Sequence, residues 1–424
     1  MDRLLKRSIL WLVPGFLWLN PLSATDFEAG RHTVVSAVDF SLVYASSPLD
    51  SWLKGGVGKL RFDENNNGLK LSRFFLDYTG RLTDTLNARL TVDVNDDLKS
   101  QVDFTEAYLD FRPIPKSAYR TRWRVGAFYP RISLENVGPG WSTPYTLSSS
   151  AINTWVAEEL RTVGVEFSVT RSPQASASLH QFTFEGAVFF ANDPAGSLLA
   201  WKGWSVHDRQ TGLRGRLPLP PLPVIEPGEE AAAQAPWVEP FHEIDNRPGY
   251  YVNTEWRYGT RSRLRFFHYD NRGDPEALSD GQYAWATSFD QIGWQIMLPG
   301  DVGLITQWMQ GETAMGPVTG STNLVDTIFE STFVLLTRKF GSRRISLRYD
   351  DFELNELDST ADDNNDDYGH AWTVAYLHQI SPQLRIGAEY MEINTHHCGW
   401  QYYGLPTQAR ERVTQLTLRW QFGS

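Results

Sequence analysis

The sequence has 424 residues, with 39 Lys and Arg against 50 Asp and Glu, for a formal net charge of −11. That acidic balance disfavours contact with nucleic-acid phosphates, so no nucleic-acid partner is expected. The single cysteine, Cys398, excludes an intramolecular disulfide, and its late position leaves no lipidated cysteine behind a leader.

The chain opens with Arg3, Lys6 and Arg7, then an apolar run from Ile9 to Leu19, then Leu22-Ser23-Ala24. This is the pattern of a cleaved signal peptide over 1–24, with a mature chain over 25–424 exported through the periplasm. No later stretch reaches the roughly 18 apolar residues of a membrane-spanning helix, so any membrane role falls to β-strands.

Alternation dominates the rest of the chain. Phe74, Leu76 and Tyr78 share one parity, and Arg73 and Asp77 the other. Leu86, Ala88, Leu90 and Val92 alternate with Asn87, Arg89, Thr91 and Asp93. Val163, Val165 and Phe167 alternate with Gly164, Glu166 and Ser168, while Ile345, Leu347 and Tyr349 alternate with Arg344, Ser346, Arg348 and Asp350. Leu416, Leu418, Trp420 and Phe422 close the chain in the same way. Period two places successive side chains on opposite faces of a strand.

A soluble sandwich and a membrane barrel both alternate, and three features favour the barrel. Many segments run about ten residues, enough for a tilted strand to cross a bilayer. Short links such as Pro299-Gly300-Asp301 and Ser381-Pro382-Gln383 are interleaved with long polar ones over 45–68, 135–160 and 352–369. Trp256, Tyr258, Tyr349, Phe352, Trp372 and Trp420 lie near strand ends, where interfacial girdles belong. The expected fold is an all-β transmembrane antiparallel barrel in the outer membrane of a Gram-negative bacterium. About 17 strand-like segments are visible where an even number is required, so 16 and 18 strands both stay open. The Pro-rich stretch 218–248 cannot be a central strand, because proline removes ladder donors; it reads as a long loop.

The polar parity would line the lumen. Arg73, Arg89, Arg120, Arg122, Arg124, Arg263, Arg265, Arg344 and Arg348 are candidate pore-lining, anion-attracting groups. Asp77, Asp93, Glu106, Asp110, Glu166 and Glu389 share that face, so the arginines could equally pair across strands as a structural ladder. The segment 129–160 is too long for a passive turn and is the candidate constriction loop. It carries Glu135, Trp141, Ser148, Ser149, Ser150, Trp155, Glu158 and Glu159. Asp63 to Gly68 begins like a calcium loop, but Phe74 stands where the closing glutamate is required. No metal, cofactor or catalytic motif is expected. The leading function is passive diffusion of small hydrophilic solutes with a mild anion bias. The alternatives are a barrel lipase or esterase, and a plugged barrel acting as an adhesin or structural protein.

The run Gly126-Ala127-Phe128-Tyr129-Pro130-Arg131-Ile132-Ser133-Leu134-Glu135, followed by Arg161 to Glu166, resembles the phosphate-selective porin O and P family. The resemblance covers roughly 69–170 and, generically, the closing strand Val413 to Phe422. It implies an outer-membrane barrel of about 16 strands, commonly a homotrimer. Such a barrel sits in outer-membrane lipid and is inserted by the barrel-assembly machinery. The loop after the Gly126 strand would narrow the pore. Phosphate selectivity does not follow, because the candidate loop holds Glu135, Glu158 and Glu159 and no lysine.

Overall fold

Sixteen antiparallel strands close on themselves in chain order, each paired with the next. The structure, a computed structural model, describes residues 31–94, 102–171 and 178–423. The expected leader over 1–24 lies outside the described residues.

The strands are β1 (His32–Ser46), β2 (Gly68–Arg81), β3 (Leu86–Val94), β4 (Val102–Phe111), β5 (Tyr119–Phe128), β6 (Thr162–Arg171), β7 (His180–Phe190) and β8 (Gly249–Tyr258). They continue as β9 (Ser262–Asp270), β10 (Ala286–Leu298), β11 (Val302–Thr319), β12 (Thr322–Phe340), β13 (Arg343–Glu356), β14 (Asp367–Gln379), β15 (Leu384–His397) and β16 (Gln408–Gly423). Closure comes from β1 against β16, with Phe40 opposite Leu418 and Leu42 opposite Leu416. Closing the sheet leaves no unpaired edge, which a bilayer requires.

The alternation places side chains as the sequence implies. Phe40, Leu42, Leu109, Trp123, Val165, Phe184, Leu264, Phe266, Trp294, Leu336, Leu347, Trp372 and Leu418 are exposed on the outer wall. On a barrel in lipid, that wall meets hydrocarbon. The opposite parity, including Arg73, Asp77, Asp93, Arg124, Glu166, Glu185, Arg265, Arg348 and Glu389, is buried inside.

The two ends differ. At one end the links are brief, over 82–85, 259–261, 299–301, 341–342 and 380–383. At the other, long segments over 47–67, 129–161 and 191–248 turn into the barrel. Two helices form there: α1 (Ala151–Glu159) and α2 (Ser197–Lys202). Every residue of both is buried.

These segments fill the interior with packed side chains. Ile132, Leu134, Ile152, Trp155, Val156, Leu199 and Trp204 from the loops join Phe267, Phe289, Phe329, Phe333 and Phe352 from the wall in one apolar cluster. Each such side chain contributes about 1.5–3 kcal/mol by leaving water. Phe352 is 2% exposed and points into this cluster, so it is not part of the outer aromatic girdle.

The Pro-rich segment forms a cap. Leu217–Pro218 pair with Trp237–Val238 in a small ribbon separate from the barrel, which resolves the strand count at 16. Leu217, Leu219, Leu222 and Val224 pack there on Trp52, Trp201, Trp285 and Met315.

Candidate constriction and lumen site

The inward path of 129–161 begins at Gly126 of β5. Its φ is +130°, and a Cβ there would lie 2.4 Å from the Ala107 carbonyl oxygen, so only glycine fits. Beyond Phe128 the chain crosses the lumen and bonds to strands on the far wall. The Leu134 amide donates to Gln307 of β11 at 2.8 Å. The Leu147 and Ser148 amides donate to Glu389 of β15 at 2.6 and 3.0 Å. The Ala151 amide donates to Asp350 of β13 at 3.0 Å. Ser150 caps α1 by accepting from the Asn153 amide.

Arg348 of β13 ties the two walls together. It donates to Glu135, Asp350, and the Ser148 and Ser149 carbonyls, each at 2.8 Å. Trp141 stacks on Tyr129 at 4.3 Å, and the Ser149 hydroxyl accepts from Asn136. Trp155 sits at the centre, edge-on to Trp204, Phe289 and Phe329 at 5.2–6.1 Å.

A second inward segment clasps the first. Lys202 at the end of α2 reaches Glu158 at 2.6 Å, and the His207 ring reaches the same oxygen at 2.7 Å. Glu159 accepts from the Leu198 and Leu199 amides at the start of α2 and from the Trp155 indole. Burial raises Glu158, but Lys202 and His207 override it and hold the carboxyl at about 2. Glu159 has no cation beside it among the described residues. Burial and the Glu158 charge push it up to about 7 against its amide donors. Gly196, at φ +100°, lets α2 press on β11, where a Cβ would meet Thr313 at 2.1 Å.

Most of the arginines singled out by sequence have acidic partners. Arg73 pairs with Asp93, Arg89 with Asp77 and Arg122 with Asp110, each at 2.6 Å. Arg124 engages Glu166 through both ends of its fork. Arg263 and Arg265 share Glu255 at 2.6 and 2.5 Å. Arg120 is exposed on β5. Arg344 donates to the Thr337 hydroxyl at 2.9 Å and has no carboxylate partner among the described residues. In the acidic loops, Asp63 pairs with Lys54, while Asp367 at the head of β14 pairs with the buried Lys59.

Free space is uneven. At the level of the loop, a gap lined by Arg73, Asn136, Trp141, Ser149, Asp208 and Arg419 measures about 10 Å³, room for one water. Nearer the end with short turns lies a cavity of about 610 Å³, whose lining includes Lys339, Arg343, Arg344 and Arg385. Three of these four were missed from the sequence. Their signal was the pair Lys339 and Arg343-Arg344 flanking the Gly341-Ser342 turn, and Arg385 just after the next turn.

A closed sixteen-stranded barrel with an oily exterior, a charged interior and an inward loop defines an outer-membrane barrel of porin type. Residues 53–202 match the family described as phosphate-selective porin O and P, and the chain resembles that family over this segment. Solved structures share the fold. The outer membrane channel DcaP of Acinetobacter baumannii superposes with a TM-score of 0.53 at 11% identity, over 92% of this chain and 96% of that one. The anion-selective porin from Comamonas acidovorans gives 0.51 at 13% identity, over 92% and 99%. OmpT of Vibrio cholerae gives 0.50 at 8% identity, over 93% and 99%. No curated protein matches the sequence.

Proposed function

We propose that the protein is a passive outer-membrane channel for small hydrophilic solutes, favouring anions, in which the segment 129–161 is the constriction. One observation carries the anion preference. Lys339, Arg343, Arg344 and Arg385 line a single cavity of about 610 Å³, and none has a salt-bridged carboxylate among the described residues. Cations without a salt-bridged counter-charge attract anions by Coulomb force, more strongly beside low-dielectric walls. Most of the paired arginines contribute little net field, because each faces its own carboxylate at hydrogen-bond distance; Arg257, Arg263 and Arg265 instead share the single Glu255 and leave excess positive charge there. The porin of Comamonas acidovorans, which shares the fold, is an anion-selective one, and that is consistent with the reading. Homotrimeric assembly, as the family resemblance implies, belongs to the same proposal.

Reversal potentials across a planar bilayer in a salt gradient test it. The expected result is chloride preference that falls in K339Q/R344Q/R385Q. Cation preference in the wild type would overturn the anion reading.

The gap of about 10 Å³ beside the loop supports a second reading, a barrel kept shut by its own loops. Correctly folded protein that gives no conductance steps would favour it.

A further inference from the structure

The segment 191–248 leaves β7 and returns to β8 at one place. Asp193, just past the outgoing strand, there meets Glu243 and Asp245 on the returning limb. The three carboxylates offer oxygens that all lie within 4.8 Å of one another. Oxygens around one ion at radius r are separated by at most 2r. Calcium–oxygen distances of about 2.3–2.6 Å are compatible with such a group, and calcium accepts irregular carboxylate sets, whereas magnesium demands a near-ideal octahedron and gives up its waters reluctantly.

Two further observations point to a cation as the partner of this group. Asp193 is only 2% exposed. Its Oδ2 accepts from the Ile244 and Asp245 amides. In Glu243, Oε2 accepts from the Ala191 amide, while Oε1 is buried without any partner among the described residues. A buried carboxylate oxygen left unpaired is costly unless something compensates it.

No side chain supplies that compensation. Among the described residues, no Lys, Arg or His forms a salt bridge with any of the three. Arg247 is engaged by Asp274 at 2.6 Å, and His242 faces Asp280 at 3.4 Å. Burial, Glu243 and Asp245 together push the Asp193 carboxyl up to about 6.

We propose that Asp193, Glu243 and Asp245 bind one calcium ion, which locks the base of the lumen-filling segment 191–248. The site joins both ends of the segment that carries α2. Its ion would fix the position of Lys202, and so of the clasp on Glu158. The Asp193 carbonyl accepts from the Trp285 amide at 2.8 Å, which anchors the site to the segment leading into β10.

The test uses full-length protein refolded in detergent and stripped with chelator. Terbium is titrated with tryptophan excitation, Trp285 serving as the near donor, and calcium and magnesium are then added as competitors. Removing even an outer-shell partner of a metal typically weakens binding about 10–100-fold, so D193N and E243Q should each weaken terbium binding by at least about tenfold. Calcium should displace terbium better than magnesium does.

Heat-induced unfolding of the same samples gives a second readout that survives a weakened variant. Calcium should raise the unfolding temperature of the wild type and leave D193N unmoved. Without calcium, D193N should be at least as stable as the wild type, because one of three clustered negative charges is gone. Equal terbium affinity in wild type and both variants would overturn the proposal. So would a wild type whose unfolding temperature ignores calcium.

Discussion

Arg348 on β13 and Glu135 in the inward segment form an ion pair at 2.8 Å with both side chains fully enclosed. The pair joins the barrel wall to a loop that starts on the opposite side. Asp350 and the Ser148 and Ser149 carbonyls complete the guanidinium's coordination, so the charge is compensated without water. Removing one partner of such a pair costs about 3–5 kcal/mol, largely because the other charge stays buried and alone. R348M should therefore lower the unfolding temperature and release the loop. Single-channel recordings should show larger or more frequent conductance steps than the wild type. Adding E135Q should recover part of the lost stability without restoring the small conductance.

Trp155 is the apolar counterpart of that pair. It contacts aromatic rings from both the second inward segment and the wall, and its indole donates to Glu159 at 2.7 Å. W155A should cost about 3–5 kcal/mol, the usual range for deleting a large buried ring. It should also widen the narrowest level of the lumen. Denaturant unfolding and bilayer conductance read the two effects separately. A stable variant of unchanged conductance would remove Trp155 from the constriction.

The barrel was legible because its outer wall obeys one rule. Leu347, Val165 and Leu418 touch hydrocarbon, so their parity could not vary, and Arg348, Glu166 and Thr417 follow from it. The lumen was harder to read, since its inward positions meet two different environments. Arg89 and Arg122 pair with acids near the short-turn end, where polar alternation holds. Phe75, Tyr251, Phe267, Phe289 and Phe329 point inward too, against the loops, and break the polar pattern. Alternation alone marks such residues as outward or irregular, and Phe352 is one of them. The loop 129–161 was visible from its length and from its start after Gly126. The clasp by 191–216 was not, because Glu158, Lys202 and His207 meet across nearly fifty residues without a local motif.

The outer face makes its own prediction. Leu347 is 40% exposed there, the fifth residue of β13, between outward-facing Ile345 and Tyr349. L347R should cost about 2–4 kcal/mol near the bilayer midplane, whereas L347M should be close to neutral. Folding yield into lipid vesicles, followed by resistance to unfolding on a gel, measures it. Equal folding of L347R and L347M would mean that this wall does not meet hydrocarbon.

Glu159 should make the clasp sensitive to pH, with a definite sign. Its carboxyl titrates near 7 in the folded protein, against an ordinary 4.5, because burial and the Glu158 charge disfavour ionisation. Between those values the folded state holds a proton that the unfolded chain has released. Stability therefore falls as pH rises from 4.5 to 7. At roughly 1.4 kcal/mol per unit, the swing is on the order of 3 kcal/mol. His207 acts with the opposite sign, since burial lowers its pKa and its contribution is lost as pH drops below 6.5. Both proteins share that term, so the difference between wild type and E159Q isolates Glu159. Relative to E159Q, the wild type should lose unfolding temperature steadily from pH 4.5 to 7 and then level off. If the inward segments close the pore, wild-type conductance should rise over the same interval while that of E159Q stays flat. A constant difference in unfolding temperature across the interval would show that Glu159 is already ionised when the clasp is closed.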